Sequence, residues 1–269
     1  MGLRVCADFR VIDESDDWIV VDKPAPLIVH PANGKPEPTL LGGVCRLLAF
    51  EIANGARPAV VNRLDRDTSG VVVVAKHPAA ARELGGMFER REVSKEYTAV
   101  VRGWPDRDEW GCDLPLLRAG AEHAPRDFPA IWVRQIPHPA GRPCSTRFRV
   151  LRRFERGENR FAVIRCVPVT GRMHQIRVHL AASGFPVVGD KVYDGDGTAY
   201  VEWMADRWTP EWSRRMLLPR HALHASSLSL SWQGIGRCWT SPLPADLAGF
   251  AEGREPCEPA GVVIWSRRG

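Results

Sequence analysis

The longest uninterrupted apolar run in the chain is Val71-Val72-Val73-Val74-Ala75. β-Branched side chains are stiff at χ1 and pack well on a pleated surface, so a run of this length and composition predicts a buried strand. It is far short of the ~20 apolar residues that a membrane-spanning helix needs, and the opening Met1-Gly2-Leu3-Arg4-Val5-Cys6-Ala7-Asp8 has no apolar signal-peptide core. The reading is therefore a chain neither secreted nor inserted in a membrane, built around a sheet. With 44% hydrophobic and 26% charged residues, disordered, collagen-like and coiled-coil classes are disfavoured.

Further elements flank that strand. Trp18 to Val21 reads as a strand ended by Asp22-Lys23-Pro24, and Leu40 to Ile52 as a helix. Val60 begins a short strand, and Pro78 opens a helix at its first position, where a missing N–H costs nothing. Glu96 to Arg102 alternates, with Tyr97, Ala99 and Val101 on one face. Thr146 to Leu151 and Arg160 to Val169 read as strands around a Gly157-Glu158-Asn159 turn. Arg172 to Ser183 reads as a helix closed by Gly184, Val201 to Met216 as another helix, and Leu223 to Trp232 as a strand. No G-x-G-x-x-G or G-x-x-x-x-G-K-[ST] is present, and there is no regular βαβ repeat. The expected class is α+β with a mixed, largely antiparallel sheet flanked by helices and loops. One domain is expected over residues 1–248. Residues 104–144, with seven prolines, form an irregular excursion from it, and 249–269 a poorly ordered tail.

Net charge is +5, and of 37 basic residues only five are lysines. Arginine binds phosphate through a planar fork and stacks on bases, which suits a nucleic-acid partner; a GC-rich genome gives the same skew. The seven cysteines include no C-x-x-C pair, which fits isolated thiols in a reducing cytoplasm better than disulfides or a zinc knuckle.

Four places could carry chemistry. Asn62-Arg63-Leu64-Asp65-Arg66-Asp67-Thr68-Ser69-Gly70 sets two carboxylates among two arginines directly before the apolar strand. It reads either as a solvated turn or as a loop delivering one carboxylate to a cleft, ionised by its guanidinium neighbours. On the 172–183 helix, Met173, Ile176 and Leu180 form an apolar stripe, and Arg177 lies about 40° from Met173. Arg177 so placed either snorkels to water or needs a carboxylate, for which Asp65 is a candidate. Tyr97, one of three tyrosines, is expected to be at least half buried. His221-Ala-Leu-His224 could offer two metal ligands, but no Cys or acid cluster accompanies it. With no G-x-S-x-G, a serine hydrolase is equally poorly supported.

Taken in order, these segments resemble the pseudouridine synthases of the RluA type over roughly residues 15 to 245. Asp22-Lys23-Pro24 with His30-Pro31, Arg63-Leu64-Asp65 with Thr68-Ser69-Gly70, and Lys95-Glu96-Tyr97 through Gly103 resemble successive family motifs. So do Thr170-Gly171-Arg172-Met173-His174-Gln175-Ile176-Arg177, Gly189-Asp190 with Tyr193, and Leu223-His224-Ala225. The resemblance implies an isomerase that converts uridine in ribosomal or transfer RNA to pseudouridine, without cofactor or metal, acting in the cytoplasm as a monomer. It implies that Asp65 attacks at the sugar, as nucleophile or base. Tyr97 would pack against the target uracil, Arg177 would pair with Asp65, and Arg63 would brace the space left by the flipped nucleotide.

Asn62 stands where the family often has His. Only about fifteen residues precede the first motif, too few for the N-terminal S4-type domain many members carry, so recognition is expected to rest on the catalytic domain, with the 104–144 excursion contacting RNA. The alternative is a catalytically silent RNA-binding module on the same fold. A glycosidase-like hydrolase, which wants two carboxylates flanking one site, is a more distant reading.

Overall fold

The computed structural model describes residues 3–31, 37–119, 131–255, 257, 259 and 261–265. In chain order the elements are β1 (Leu3–Cys6), β2 (Arg10–Glu14), β3 (Trp18–Lys23), α1 (Leu40–Leu47), α2 (Ala49–Ala53), β4 (Ala59–Val60), β5 (Ser69–Ala75), α3 (Pro78–Arg90) and β6 (Ser94–Arg102). There follow β7 (Glu109–Cys112), β8 (Leu116–Arg118), β9 (Gln135–Pro137), β10 (Thr146–Arg156), β11 (Asn159–Pro168), α4 (Gln175–Ala182), α5 (Thr198–Met204) and α6 (Pro210–Met216). The last are β12 (Leu223–Trp232), β13 (Ile235–Thr240), α7 (Ala245–Ala251) and β14 (Val262–Trp265). The class is α+β with mostly antiparallel pairing. No helix among the described residues is long and apolar enough to cross a membrane.

The chain divides into two compact units: residues 1–95, 224–245 and 259–269 in the first, and 96–223 with 246–258 in the second. The chain enters the first unit three times and the second twice. Sequence periodicity, which is local, carries no record of those returns.

In the first unit β5 is the central strand, and all seven of its residues are buried. It runs antiparallel to β3 along Trp18–Lys23 and parallel to β12 at His224–Ala225. The parallel step brings the backbones very close. Gly70 sits at φ +114°, and a Cβ there would lie 2.2 Å from the Ala225 carbonyl oxygen. α3 closes one face with Ala80, Leu84 and Met87 against Val71, Val73 and Trp18. His77 caps α3 at its N-terminus, and Arg91, left-handed at φ 62°, ends it. Trp18 meets Trp232 and Trp239 edge-on at 5.3 and 5.4 Å, arrangements worth about 0.5–1.5 kcal/mol each beyond area burial. Their indole N–H groups go to carboxylates: Trp18 and Trp239 donate to Asp13, and Trp232 to Asp17. Burial pulls Asp13 the other way, but the two indole donors hold its carboxyl below the usual range.

The second unit is an antiparallel sheet in the order β6-β11-β10-β7, with β8 and β9 paired apart. α7 packs by Phe250 on Phe154 and Phe161 and is tied by the buried Arg220–Asp246 pair at 2.7 and 3.0 Å.

Several expected elements differ in extent. The 40–52 helix is broken at Leu48, and the 201–216 helix is two short ones. Asp206 turns left-handed between them, and Thr209 caps a new start at Pro210. The 172–183 helix begins only at Gln175, because His174 takes φ 56°. Met173 is therefore outside the helix and exposed, while Gln175 to Leu180 are all buried. A wheel argument assumes a solvent face, and α4 has none over those residues. The excursion over 104–144 holds three short strands; its residues 120–130 lie outside the described ones. The segment expected as a tail carries the end of α7 and β14, which pairs with β1.

The approach at Gly70 generates a test. Gly70→Ala combines a strained φ with a backbone clash and is expected to destabilise the protein by about 2–4 kcal/mol, read as a lower urea midpoint, whereas Gly85→Ala, in open space, is expected to be neutral or stabilising.

Candidate active site

The loop carrying Asp65 joins β4 to β5 in the first unit, and its two ends are held by different means. At its root the Asn62 side chain replaces a strand neighbour: Nδ2 donates to the Val71 carbonyl at 3.2 Å and Oδ1 accepts from the Val73 N–H at 2.8 Å. Leu64 is buried beneath the loop. The Thr68 N–H donates to the Asp65 carbonyl at 3.1 Å and closes a turn. Asp65 itself is half-buried.

Beyond Asp65 the backbone is gripped by Lys23, which is fully buried. Its Nζ donates to the carbonyls of Pro24 at 2.8 Å, Leu27 at 2.7 Å and Arg66 at 3.1 Å. An ammonium has three donors and no acceptor, and a desolvated one costs several kcal/mol unless oppositely polarised groups surround it. Three converging carbonyls meet that need and fix the residue that follows Asp65. The Leu27 N–H reaches the same Arg66 oxygen at 2.9 Å. Ser69 then donates its hydroxyl to His224 Nδ1 at 2.9 Å. The assignment follows from His224 Nε2, which faces the Ser241 carbonyl at 3.0 Å and so must carry the proton. Arg63 is exposed, with Nη1 3.2 Å from His30 Nε2.

Tyr97 and Arg177 belong to the second unit. Tyr97 on β6 is opposite Cys166 of β11 and half-buried, on the face it shares with the fully buried Ala99 and Val101. Its neighbour Glu96 grips the Arg165 guanidinium through two oxygens. Arg177 is buried in α4, and Asp190 supplies a carboxylate that its environment requires: Nε and Nη2 meet Oδ2 and Oδ1 at 2.6 and 2.7 Å. Asp190 Oδ1 also accepts the backbone N–H groups of Val192 and Tyr193 at 3.0 and 3.2 Å, so the fork is aimed by a carboxylate that is itself fixed.

Tyr193 completes this framework. Its ring lies 5.0 Å from the Arg177 guanidinium and 5.8 Å from that of Arg134. Its hydroxyl accepts from the Gln135 N–H at 2.8 Å and is 2.8 Å from Nδ1 of His174. His221 lies close by. Burial holds its imidazole well below the ordinary range, and Arg177, Arg220, His174 and Lys191 push the same way, so it is neutral at physiological pH.

Of the residues singled out in the sequence, Arg63 and Asp65 share the first unit's loop, and Tyr97 and Arg177 lie in the second unit. Lys23, Asn62, Asp190 and Tyr193 were not assigned roles by local pattern. Lys23 and Asn62 act through backbone groups, and Asp190 meets Arg177 across a thirteen-residue separation that no helical or strand period marks. Among the described residues no group of three or more His, Cys, Asp or Glu could hold a metal ion, and both ring nitrogens of His224 are engaged.

Residues 17–182 match the family described as RNA pseudouridylate synthase. The chain is 35% identical over 248 residues to a ribosomal large subunit pseudouridine synthase D of Nitrosomonas europaea, covering 90% of this chain and 64% of the relative. It is 38% identical over 229 residues to an uncharacterized RNA pseudouridine synthase of Chloroflexus aurantiacus, covering 84% and 63%. It therefore spans somewhat under two thirds of the length of these relatives. The human RNA pseudouridylate synthase domain containing 4 shares its fold at a TM-score of 0.70 and 20% identity, over 95% of this chain and 94% of that one. With motif order, fold and sequence in agreement, the chain belongs to the RNA pseudouridylate synthase family, in its RluA-type branch.

Proposed function

We propose that this protein isomerises uridine to pseudouridine in RNA, with Asp65 as the catalytic residue. The observation that carries the reading is the loop of Asp65: a half-buried aspartate whose flanking backbone is pinned by the buried Lys23 ammonium on one side and the Asn62 amide on the other. A solvated turn has no need of a fully desolvated cation beneath it. The reaction breaks the bond from the ribose C1′ to N1, turns the uracil, and forms C1′–C5; N1 takes up a proton and C5 loses one. Atoms balance with no cofactor. Asp65 acts at the sugar, as nucleophile or base. Tyr97 packs on the uracil, the Asp190-held Arg177 supplies a fixed positive charge, and Arg63 braces the space the nucleotide leaves. Extruding a stacked nucleotide costs about a few kcal/mol, which ring stacking and phosphate contacts offset.

Ribosomal RNA is the substrate favoured by the kinship to ribosomal large subunit pseudouridine synthases D, with transfer RNA the second pool. Action as a monomer in the cytoplasm belongs to the same reading and fits the free thiols of Cys112, Cys144 and Cys166.

The test is tritium release from carbon-5-labelled uridine in unmodified ribosomal and transfer RNA. Release is expected with the wild type and not with Asp65→Asn, a loss on the order of 10³-fold or more at an unchanged melting temperature. RNA binding without release from either pool would instead indicate a silent binding module. A second prediction concerns the buried pair. Asp190→Ala is expected to cost about 3–5 kcal/mol by stripping Arg177 of this carboxylate, whereas Arg177→Met with Asp190→Leu recovers most of that stability and none of the turnover. Denaturant titration and tritium release, measured on the same preparations, separate the two effects.

A further inference from the structure

The exposed arginines of the second unit fall into two classes. On β10, β11 and their surroundings, Arg149 pairs with Glu109, Arg153 with Asp108 and Arg160 with Glu155, at 3.4, 2.8 and 3.7 Å. Arg142, Arg147 and Arg172 are also exposed, and like Arg107, Arg118 and Arg152 none of them has a carboxylate partner among the described residues. Arg142, Arg147 and Arg172 belong to segments stitched together by hydrogen bonds. The Leu116 and Arg142 backbones exchange bonds of 3.1 and 2.8 Å, and the Ser145 carbonyl accepts from the Val169 N–H and from Gln175 Nε2, both at 2.9 Å. The Arg172 N–H donates to Gln175 Oε1 at 2.9 Å. Burial raises the Cys144 thiol, while Arg172 lowers it and Asp113 raises it through their charges. Arg172 and Asp113 therefore both lie near the 142–147 segment.

Aromatic and apolar surface lies in the same stitched region. Trp132 is 70% exposed, and its carbonyl accepts from Arg118 Nε at 2.7 Å; Met173, beside Arg172, is 45% exposed. Guanidinium groups on hydrogen-bonded segments, not paired with a carboxylate among the described residues, in a region that also exposes an indole, match the phosphates and unstacked bases of RNA. An acidic protein would supply carboxylates but nothing for the indole to stack on.

We infer that Arg142, Arg147 and Arg172, with Trp132, form an RNA-docking surface that contacts phosphates of the substrate RNA. This deepens the proposed function and rests on it for the identity of the RNA. An arginine already held by a carboxylate must give up that pair to bind phosphate, whereas these three have no such pair to give up among the described residues.

The experiment compares two triple variants, Arg142→Gln/Arg147→Gln/Arg172→Gln and the paired-arginine control Arg149→Gln/Arg153→Gln/Arg160→Gln. Binding to an unmodified large-subunit ribosomal RNA transcript is titrated against KCl by fluorescence anisotropy, with polyglutamate as the acidic-polypeptide probe and melting curves to confirm folding. The first triple is expected to flatten the slope of log K against log [KCl] by about 2–3, the control by less than half as much. Trp132→Ala, which alters no charge, is expected to weaken binding several-fold at an unchanged slope. Equal slopes in the two triples overturn the inference, as does a loss seen with polyglutamate and not with RNA. If the first triple fails to fold, the three single variants, each expected to lower the slope by about 0.7–0.9, decide in its place. Tritium release by the wild type is scored separately: release with no slope difference removes this surface and leaves the isomerase, whereas a slope difference without release removes the isomerase and leaves an RNA-binding surface.

Discussion

The Lys23 side chain is fully buried, where an ammonium is desolvated. Three backbone carbonyls converge on it and offset that desolvation. Those carbonyls come from the turn after β3 and from Arg66, so the requirement for compensation welds two distant parts of the chain. Asp65 lies one residue from the weld. Backbone electrostatics therefore fix the chain beside it, and the neighbouring close approach of Gly70 to Ala225 adds a second rigid constraint. The Ser69–His224 bond extends the same order into β12.

The second unit meets a similar demand by different means. Arg177 is a guanidinium inside a helix buried over its first six residues, and Asp190 meets two of its N–H groups while accepting two backbone N–H groups of its own. Tyr193 lies close to two guanidinium groups and is held at its hydroxyl. The left-handed His174 is part of this arrangement: its φ of 56° is the local strain that starts α4 late and brings Nδ1 to the Tyr193 hydroxyl. Each unit thus presents its candidate residues from a charge that is buried and geometrically satisfied.

How much of this was legible in the sequence depends on the range of the interaction. Val71–Ala75 reads as a strand because its signal is local, and it lies within β5. Pro78 opens α3 for the same reason. The helix wheel that brought Arg177 toward the buried side was right about burial and incomplete in its reasoning, since α4 is enclosed and Met173 is not in it. Thr209-Pro210 was a readable helix start, and the periodicity of the flanking residues masked it. Motif order, carried by several separated segments, pointed to the family although no single segment did.

By itself the sequence determined which residue types were available and in what order: a β-branched strand after an acidic loop, a tyrosine on an alternating strand, an arginine in a helix, and an arginine-rich surplus of charge. These follow from propensity and periodicity, which act over a few residues. Tertiary structure alone decided that Lys23 lies beneath Arg66, that Asp190 holds Arg177, that Asn62 imitates a strand, and which exposed arginines are answered by a carboxylate. Each of these depends on desolvation, and a group is desolvated only when segments far apart in the chain close over it.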